Sequence, residues 1–406
     1  MVERMQLLVI GVGTVCALQA CAIADQEEPA RSRAEAMSFE DGVYKEVQLA
    51  VPPAVVVDRR GQRWLRQRAV VPVPDPVGHP TARTSSRSPS KIASELAAMS
   101  DAELAEKIRP ISLYQGHEYT LEQPPLEQAR QFRAELERRA RGLPDLQRSG
   151  KPSETTLGPL PEAMLPKANQ PAPQIVIGTD SRAQRRDNTT YPWRSILWIT
   201  SSSQSGGGTA QLIGASTAVS AAHVFHSGSG WYSTRRWAPG VDSQDANPYP
   251  YGRTDGCYWV TIPAAYDGDS YYDFAVIEFS NMFPTCNLYP GNTVGWMGWW
   301  SGFVPSGSEF GYVYGYPGDP CPGGSCHWPQ IWGIGSTGMD EDGDNVDHYA
   351  DTTGGESGSG LYIIDGGTRY VIGAHRAGFS NIFDDWNEAR RLEGLFYSFM
   401  KDYTAL

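Results

Sequence analysis

From residue 175 onward, short apolar–polar alternations separated by glycine, proline, asparagine and serine turns dominate the chain. Residues 195–200, 211–216, 217–220, 257–262, 274–279, 309–315, 360–364 and 370–374 each read as a strand. Period-two runs rich in Val, Ile, Tyr and Trp suit a half-buried pleated surface. One long helical pattern follows, residues 386–403. Many short strands at regular spacing predict a β-sandwich or barrel, and a single terminal helix on such a core favours two barrels.

The first part of the chain has a different texture. Valine-rich residues 43–57 and 64–73 predict two or three strands, and residues 81–90 form a Ser/Thr/Arg/Pro linker. Ser100-Asp101-Ala102-Glu103 is a capping box that opens a short helix to about Ile108. Leu126, Ala129, Phe132 and Leu136 recur every three to four residues and predict a helix over 126–141. Residues 143–173 are rich in Pro, Lys and Ser without periodicity, which suits an exposed, cleavable linker. The expected division is a leader over 1–24, a propeptide with a small α+β or partly disordered character over 25–174, and a catalytic domain over 175–406.

The leader carries Glu3 and Arg4, an apolar run from Leu7 to Ala22, and small residues Ala22-Ile23-Ala24 before Asp25. That is a secretory signal, too short for a confident membrane span. Leu18-Gln19-Ala20-Cys21 also resembles a lipobox, which would acylate Cys21 and tether the chain to a membrane. Either reading gives an extracytoplasmic compartment.

Beyond the leader lie Cys257, Cys286, Cys321 and Cys326, an even number that suits disulfides in an oxidising compartment. Three pairings are open; Cys257–Cys286 with Cys321–Cys326 is favoured because each closes a local loop. The rival is a zinc site at Cys321, Cys326 and His327, a weak match to tetrahedral spacing. The formal charge is −12, and it falls entirely after residue 174: residues 25–174 hold 21 basic and 21 acidic side chains, the remainder 12 and 24. A nucleic-acid partner needs the opposite sign.

Three short segments carry candidate chemistry. Thr352-Thr353-Gly354-Gly355-Glu356-Ser357-Gly358-Ser359-Gly360 is a glycine-packed turn around one serine. Ser220-Ala221-Ala222-His223 and Tyr272-Asp273-Phe274 lie upstream, with 50 and 84 residues between successive members. A serine hydroxyl is a poor nucleophile near neutral pH and needs a base that is itself oriented. His223 supplies the imidazole, Asp273 the orienting carboxylate, and the N–H groups of Gly355 and Ser357 an oxyanion hole. Ser359, His226 and Asp269 lie two to four positions away and are the nearest decoys. The order His, Asp, Ser is that of the chymotrypsin-type proteases.

Residues 175–406 resemble the bacterial glutamyl endopeptidases, a branch of the chymotrypsin-like serine proteases. The resemblance rests on Val176-Ile177-Gly178-Thr179-Asp180-Ser181-Arg182, Asn188-Thr189-Thr190-Tyr191-Pro192-Trp193, Gly295-Trp296-Met297-Gly298-Trp299, Gly315-Tyr316-Pro317-Gly318-Asp319 and Ile372-Gly373-Ala374-His375, besides the three segments above. It implies an all-β fold of two six-stranded antiparallel barrels with a C-terminal helix. It also implies a secreted zymogen, acting as a monomer on proteins or peptides, that cleaves after Glu and less readily after Asp. The specificity pocket falls on Thr352 and His375, both able to donate hydrogen bonds to a carboxylate.

The chain departs from the family at several points. Glu356 replaces the usual Asp or Asn before the nucleophile. Ile175 matches the new amino terminus that orders the pocket in many relatives, and whether its amine pairs with Glu356 or approaches the substrate carboxylate is open. Arg376 stands where relatives often carry an aromatic residue, so it either adds to the acidic preference or points to solvent. No cofactor is expected; the acidic run 340–347 offers oxygen ligands for Ca²⁺, but Asn345 occupies the position where an EF-hand requires glycine. The alternatives are a protease of other specificity, or a non-catalytic surface lipoprotein on a protease scaffold.

Overall fold

The structure, a computed structural model, describes residues 53–73, 89–141, 147–148, 180–201, 207–233, 235–280, 288–307, 309–318, 329–335, 338–380 and 385–406, with the backbone of 38–40 and 43–45. The leader, its lipobox, the 143–173 linker apart from 147–148, Ile175, Cys286, Cys321 and Cys326 lie outside them.

Two antiparallel sheets form the body, as the alternating pattern predicts. At the centre of the first lie strands Arg235–Pro239, Ile196–Ser201, Gly207–Leu212, Thr217–Ser220, Ala275–Glu278 and Trp259–Pro263, in that order. The second runs Met339–Asp342, Asn345–His348, Asp385–Arg391, Thr368–Ser380, Gly360–Asp365, Tyr312–Gly315, Ile331–Gly335 and Ala183–Arg185. Strands such as Trp259–Pro263 are buried at every position.

The terminal helix is shorter than the sequence predicts. Residues 386–391 belong to strand Asp385–Arg391, and only Gly394–Asp402 is helical. The strand is hydrogen-bonded on both sides, to Asn345–His348 and to Thr368–Ser380. Two ladders outweigh the weak helical preference of Glu, Ala and Arg. Its buried charges are paired: Arg376 Nη2 meets Glu388 at 3.0 Å, and Arg390 Nε donates to the Tyr271 carbonyl at 2.9 Å.

Two other elements were not legible. Helix Pro89–Ala98 starts inside the expected linker. Strands Pro110–Tyr114 and His117–Leu121 make a hairpin turning at Gln115 and Gly116, whose φ values of 46° and 70° give the mirror-image turn that matches strand twist.

That hairpin joins the two parts of the chain. Strand Pro110–Tyr114 pairs antiparallel with Trp259–Pro263 and so extends the first sheet through Arg63–Ala69 to Val55–Val57. The buried Ser112 and Thr261 hydroxyls meet at 2.8 Å across this junction. Trp64, Tyr114 and Tyr119 close on Trp259 with ring centroids 5.6, 5.4 and 5.1 Å away. Helix Leu126–Ala140 lies against helix Gly394–Asp402, and Arg139 pairs with Asp344 at 2.6 Å and Glu393 at 3.2 Å. Residues 53–141 and 180–406 therefore share one apolar core. A smaller core fills the second sheet around Val313, Leu361 and Ile372.

Candidate active site

Strand register brings the histidine and the aspartate together. Thr217–Ser220 and Ala275–Glu278 pair antiparallel with Ser220 opposite Ala275. His223 follows the first strand in a 3₁₀ turn, and Asp273 immediately precedes the second. The two ends meet: His223 Nδ1 lies 2.9 Å from Asp273 Oδ2, and the His223 backbone N–H donates to Oδ1 at 3.0 Å. Burial would raise the Asp273 carboxyl, but the His223 ring, its hydrogen bonds and Arg376 outweigh burial and hold it below the usual carboxylate range. The carboxylate fixes Nδ1 as the protonated nitrogen. Nε2 is buried and has no hydrogen-bond partner among the described residues, Ser357 Oγ included.

Ser357 lies on a turn clasped by the first sheet. Thr209 on strand Gly207–Leu212 donates its N–H to the Ser357 carbonyl at 2.8 Å and its hydroxyl to the Gly355 carbonyl at 2.9 Å. Next to it, Gly358 has φ +86°, and a Cβ there would stand 2.1 Å from both the Thr209 carbonyl and Ser220 Oγ, and 3.1 Å from the Ala221 nitrogen. Only glycine allows the turn so close to the chain that leads into His223.

The peptides that bear the candidate oxyanion donors are anchored at their carbonyl ends. The Gly354 carbonyl accepts from Gly318 N–H at 2.7 Å, and the Glu356 carbonyl from Ser359 N–H at 2.9 Å. In a planar trans peptide the N–H points opposite to the carbonyl. The N–H groups of Gly355 and Ser357 are thus turned away from those anchors, and neither makes a hydrogen bond among the described residues.

The residues assigned to the pocket are buried and engaged. Thr352 Oγ1 donates to Asn387 Oδ1 at 2.9 Å, while Asn387 Nδ2 holds the Ala350 carbonyl at 2.8 Å. His375 Nδ1 lies 3.3 Å from His348 Nε2. Burial, and then the neighbouring His348, push the His375 ring well below the usual imidazole value; burial alone pushes His348 down to about 3. Sequence reasoning missed His348, Asn387 and Thr209, strand residues whose partners are set only by tertiary register.

Both neutral rings gain protons on unfolding below about pH 6.5. The unfolded state then binds more protons, so stability falls as pH drops from about 6.5 towards 3, by up to about 1.4 kcal/mol per pH unit for each ring. His348→Gln removes one such ring, and its urea midpoint will decline less steeply than the parent's between pH 6.5 and 4. Parallel declines would contradict this.

Arg376 corrects an expectation. A β-bulge between His375 and Ala377 breaks the in–out alternation, so His375 and Arg376 are both buried. Arg376 does not point to solvent; it pairs with Glu388 and lies within electrostatic range of Asp273. The decoys are packed: His226 stands edge-on to Trp231 and accepts from Gly228 N–H, and Asp269 caps the turn ahead of Asp273.

The acidic run folds as a hairpin: Met339–Asp342 pairs with Asn345–His348 around Gly343 and Asp344. Carboxylate oxygens of Asp342, Asp347 and Glu388 lie within 4.8 Å of one another. Burial and these neighbours raise Asp347 to about 8. Glu388 is already bound by Arg376 and by Asn345 Nδ2. Cys257 is disulfide-bonded, at φ +57°, and every other cysteine lies outside the described residues. No helix among the described residues is long and apolar enough to cross a membrane.

No family model matches the chain. It is 29% identical over 196 residues to an extracellular metalloprotease of Bacillus subtilis, covering 47% of this chain and 58% of that protein. It is 31% identical over 193 residues to a glutamyl endopeptidase of Bacillus licheniformis, covering 46% of this chain and 54% of that protein. A solved Glu endopeptidase in complex with MPD aligns over 57% of this chain and 100% of its own, with 26% identity and a TM-score of 0.46. The chain spans little more than half the length of the curated relatives it matches. Over about half of its own length, the chain is similar in sequence to a glutamyl endopeptidase.

Proposed function

We propose that this chain is a secreted serine endopeptidase, made as a precursor, that cleaves after Glu and less readily after Asp through an acyl-enzyme on Ser357. The observation that carries the reading is the buried His223–Asp273 pair with its unengaged Nε2, together with a glycine-held serine turn that packs on the chain leading into His223 and carries two unengaged N–H groups. His223 Nε2 takes the Ser357 proton as Oγ attacks the scissile carbonyl, and the N–H groups of Gly355 and Ser357 receive the oxyanion. The imidazolium, held by Asp273, then gives its proton to the leaving amine. Water, deprotonated by the same nitrogen, hydrolyses the ester. Catalytic hydrogen bonds are often unformed without substrate, so the unmade Ser357–His223 bond is in keeping with this reading.

Acidic preference is assigned to Thr352 and His375. The Thr352 hydroxyl would turn its proton from Asn387 to the substrate carboxylate, and the anion would draw the His375 ring back towards protonation. The full chain, with peptides differing only in Glu, Asp, Gln, Lys or Phe before the scissile bond, tests this. The expected result is Glu over Asp, with Gln at least about tenfold behind Glu. Equal rates for Glu and Gln would remove the carboxylate role while leaving the protease.

A further inference from the structure

The residue before the nucleophile is already neutralised inside the chain. Glu356 is fully buried; its Oε2 accepts from the Thr353 backbone N–H at 2.7 Å and lies 3.2 Å from Arg182 Nη1. The same Arg182 nitrogen donates to Thr353 Oγ1. The guanidinium is held on its other side by Asp180, with Nε–Oδ1 at 3.0 Å and Nη2–Oδ2 at 2.8 Å. Ser181 N–H donates to Asp351 at 2.9 Å, and strand Ala183–Arg185 pairs with Ile331–Gly335. The segment bearing Arg182 is therefore fixed on both flanks. The Glu356 N–H returns to the Thr353 carbonyl at 3.0 Å, so carboxylate, guanidinium and turn form a closed loop around the peptides that aim the Gly355 and Ser357 N–H groups.

We infer that Arg182 is a positioning residue for the oxyanion hole: its guanidinium does internally what an ammonium freed by proteolysis would otherwise do at Glu356. The inference rests on the proposed role of Ser357. A buried carboxylate in this turn needs a cationic partner, since an isolated buried charge is costly. Arg182 supplies that partner in the uncut chain, seven residues beyond Ile175. The turn is thus assembled before any cleavage. Processing in the 142–179 stretch has other consequences, but does not switch on the oxyanion donors.

The two cations differ in titration. An α-amine deprotonates with a reference pKa of about 8, a guanidinium above about 12, a lysine ammonium near 10.4. The test is the rate at which a small fluorophosphonate labels Ser357 in the purified full chain between pH 6 and 10.5, with folding checked by near-ultraviolet circular dichroism. The wild type is expected to label and to hold its rate to pH 10. Arg182→Met should label at least 100-fold more slowly, the scale of a lost oxyanion donor. Arg182→Lys should recover to within about tenfold at pH 7.5 but fall above pH 10. The double variant Arg182→Met/Glu356→Gln, with no buried charge to satisfy, should label faster than Arg182→Met alone.

A folded Arg182→Met that labels at the wild-type rate overturns the inference. So does a wild-type rate that collapses between pH 8 and 9.5, or a full chain that labels only after being cut. If neither cut nor uncut chain labels, the role of Ser357 fails, and this inference with it.

Discussion

Replacing Ser357 or His223 by alanine is expected to lower kcat/KM by a factor on the order of 10⁶, the scale on which other serine proteases lose activity when either member is removed. That corresponds to about 8 kcal/mol of transition-state stabilisation. The reason is that neither group acts without the other: the hydroxyl is unreactive until Nε2 accepts its proton, and Nε2 makes no other hydrogen bond among the described residues. The double variant should therefore be no worse than either single one. Asp273→Asn is expected to cost about 10⁴, because an amide would favour the wrong imidazole tautomer while leaving the ring in place. Steady-state kinetics on a Glu-containing peptide checks all three. Losses that add in the double variant would contradict a shared step.

Removing residues 53–141 is expected to abolish cooperative folding of the remainder. Strand Trp259–Pro263 would lose its neighbour Pro110–Tyr114 and become an unpaired edge. Trp259 would lose Trp64, Tyr114 and Tyr119, and the helix Gly394–Asp402 its cover. A milder version is Trp64→Ala, expected to cost about 3–5 kcal/mol, against a total of about 5–15 kcal/mol for a typical domain. Trp64 is fully buried, with its indole N–H donating to Asp58 at 3.0 Å. Urea unfolding followed by tryptophan fluorescence measures both. The same contacts predict that a chain cut between 142 and 179 elutes as one species, its two pieces still paired. A fragment beginning at residue 175 that unfolds with the parent's midpoint would refute the shared core.

Three local signatures made the proposed catalytic residues legible. Ser357 is framed by glycines that a tight turn demands, and His223 and Asp273 each sit at the end of an apolar strand. Their meeting follows from one antiparallel register, Ser220 opposite Ala275. What the sequence hid depends on partners far along the chain. Arg182 reaches Glu356 across 174 positions, and His348 reaches His375 through the strand Asp385–Arg391 lying between theirs. The residues of that strand favour helix by themselves; only pairing on both edges makes it a strand. The bulge at Arg376 was equally invisible, since period-two alternation places neighbouring residues on opposite faces. The folded extent of residues 53–141 is hidden because its strand Pro110–Tyr114 pairs with one that comes more than 140 residues later.

The most direct test of the central claim is covalent. The folded full chain is treated with a fluorophosphonate, digested, and the modified side chain located by mass spectrometry. The account predicts one phosphonylated residue, Ser357, with labelling lost in His223→Ala. Modification of another serine, or none on a folded chain, would contradict a nucleophile at Ser357 and return the molecule to a binding role on a protease scaffold.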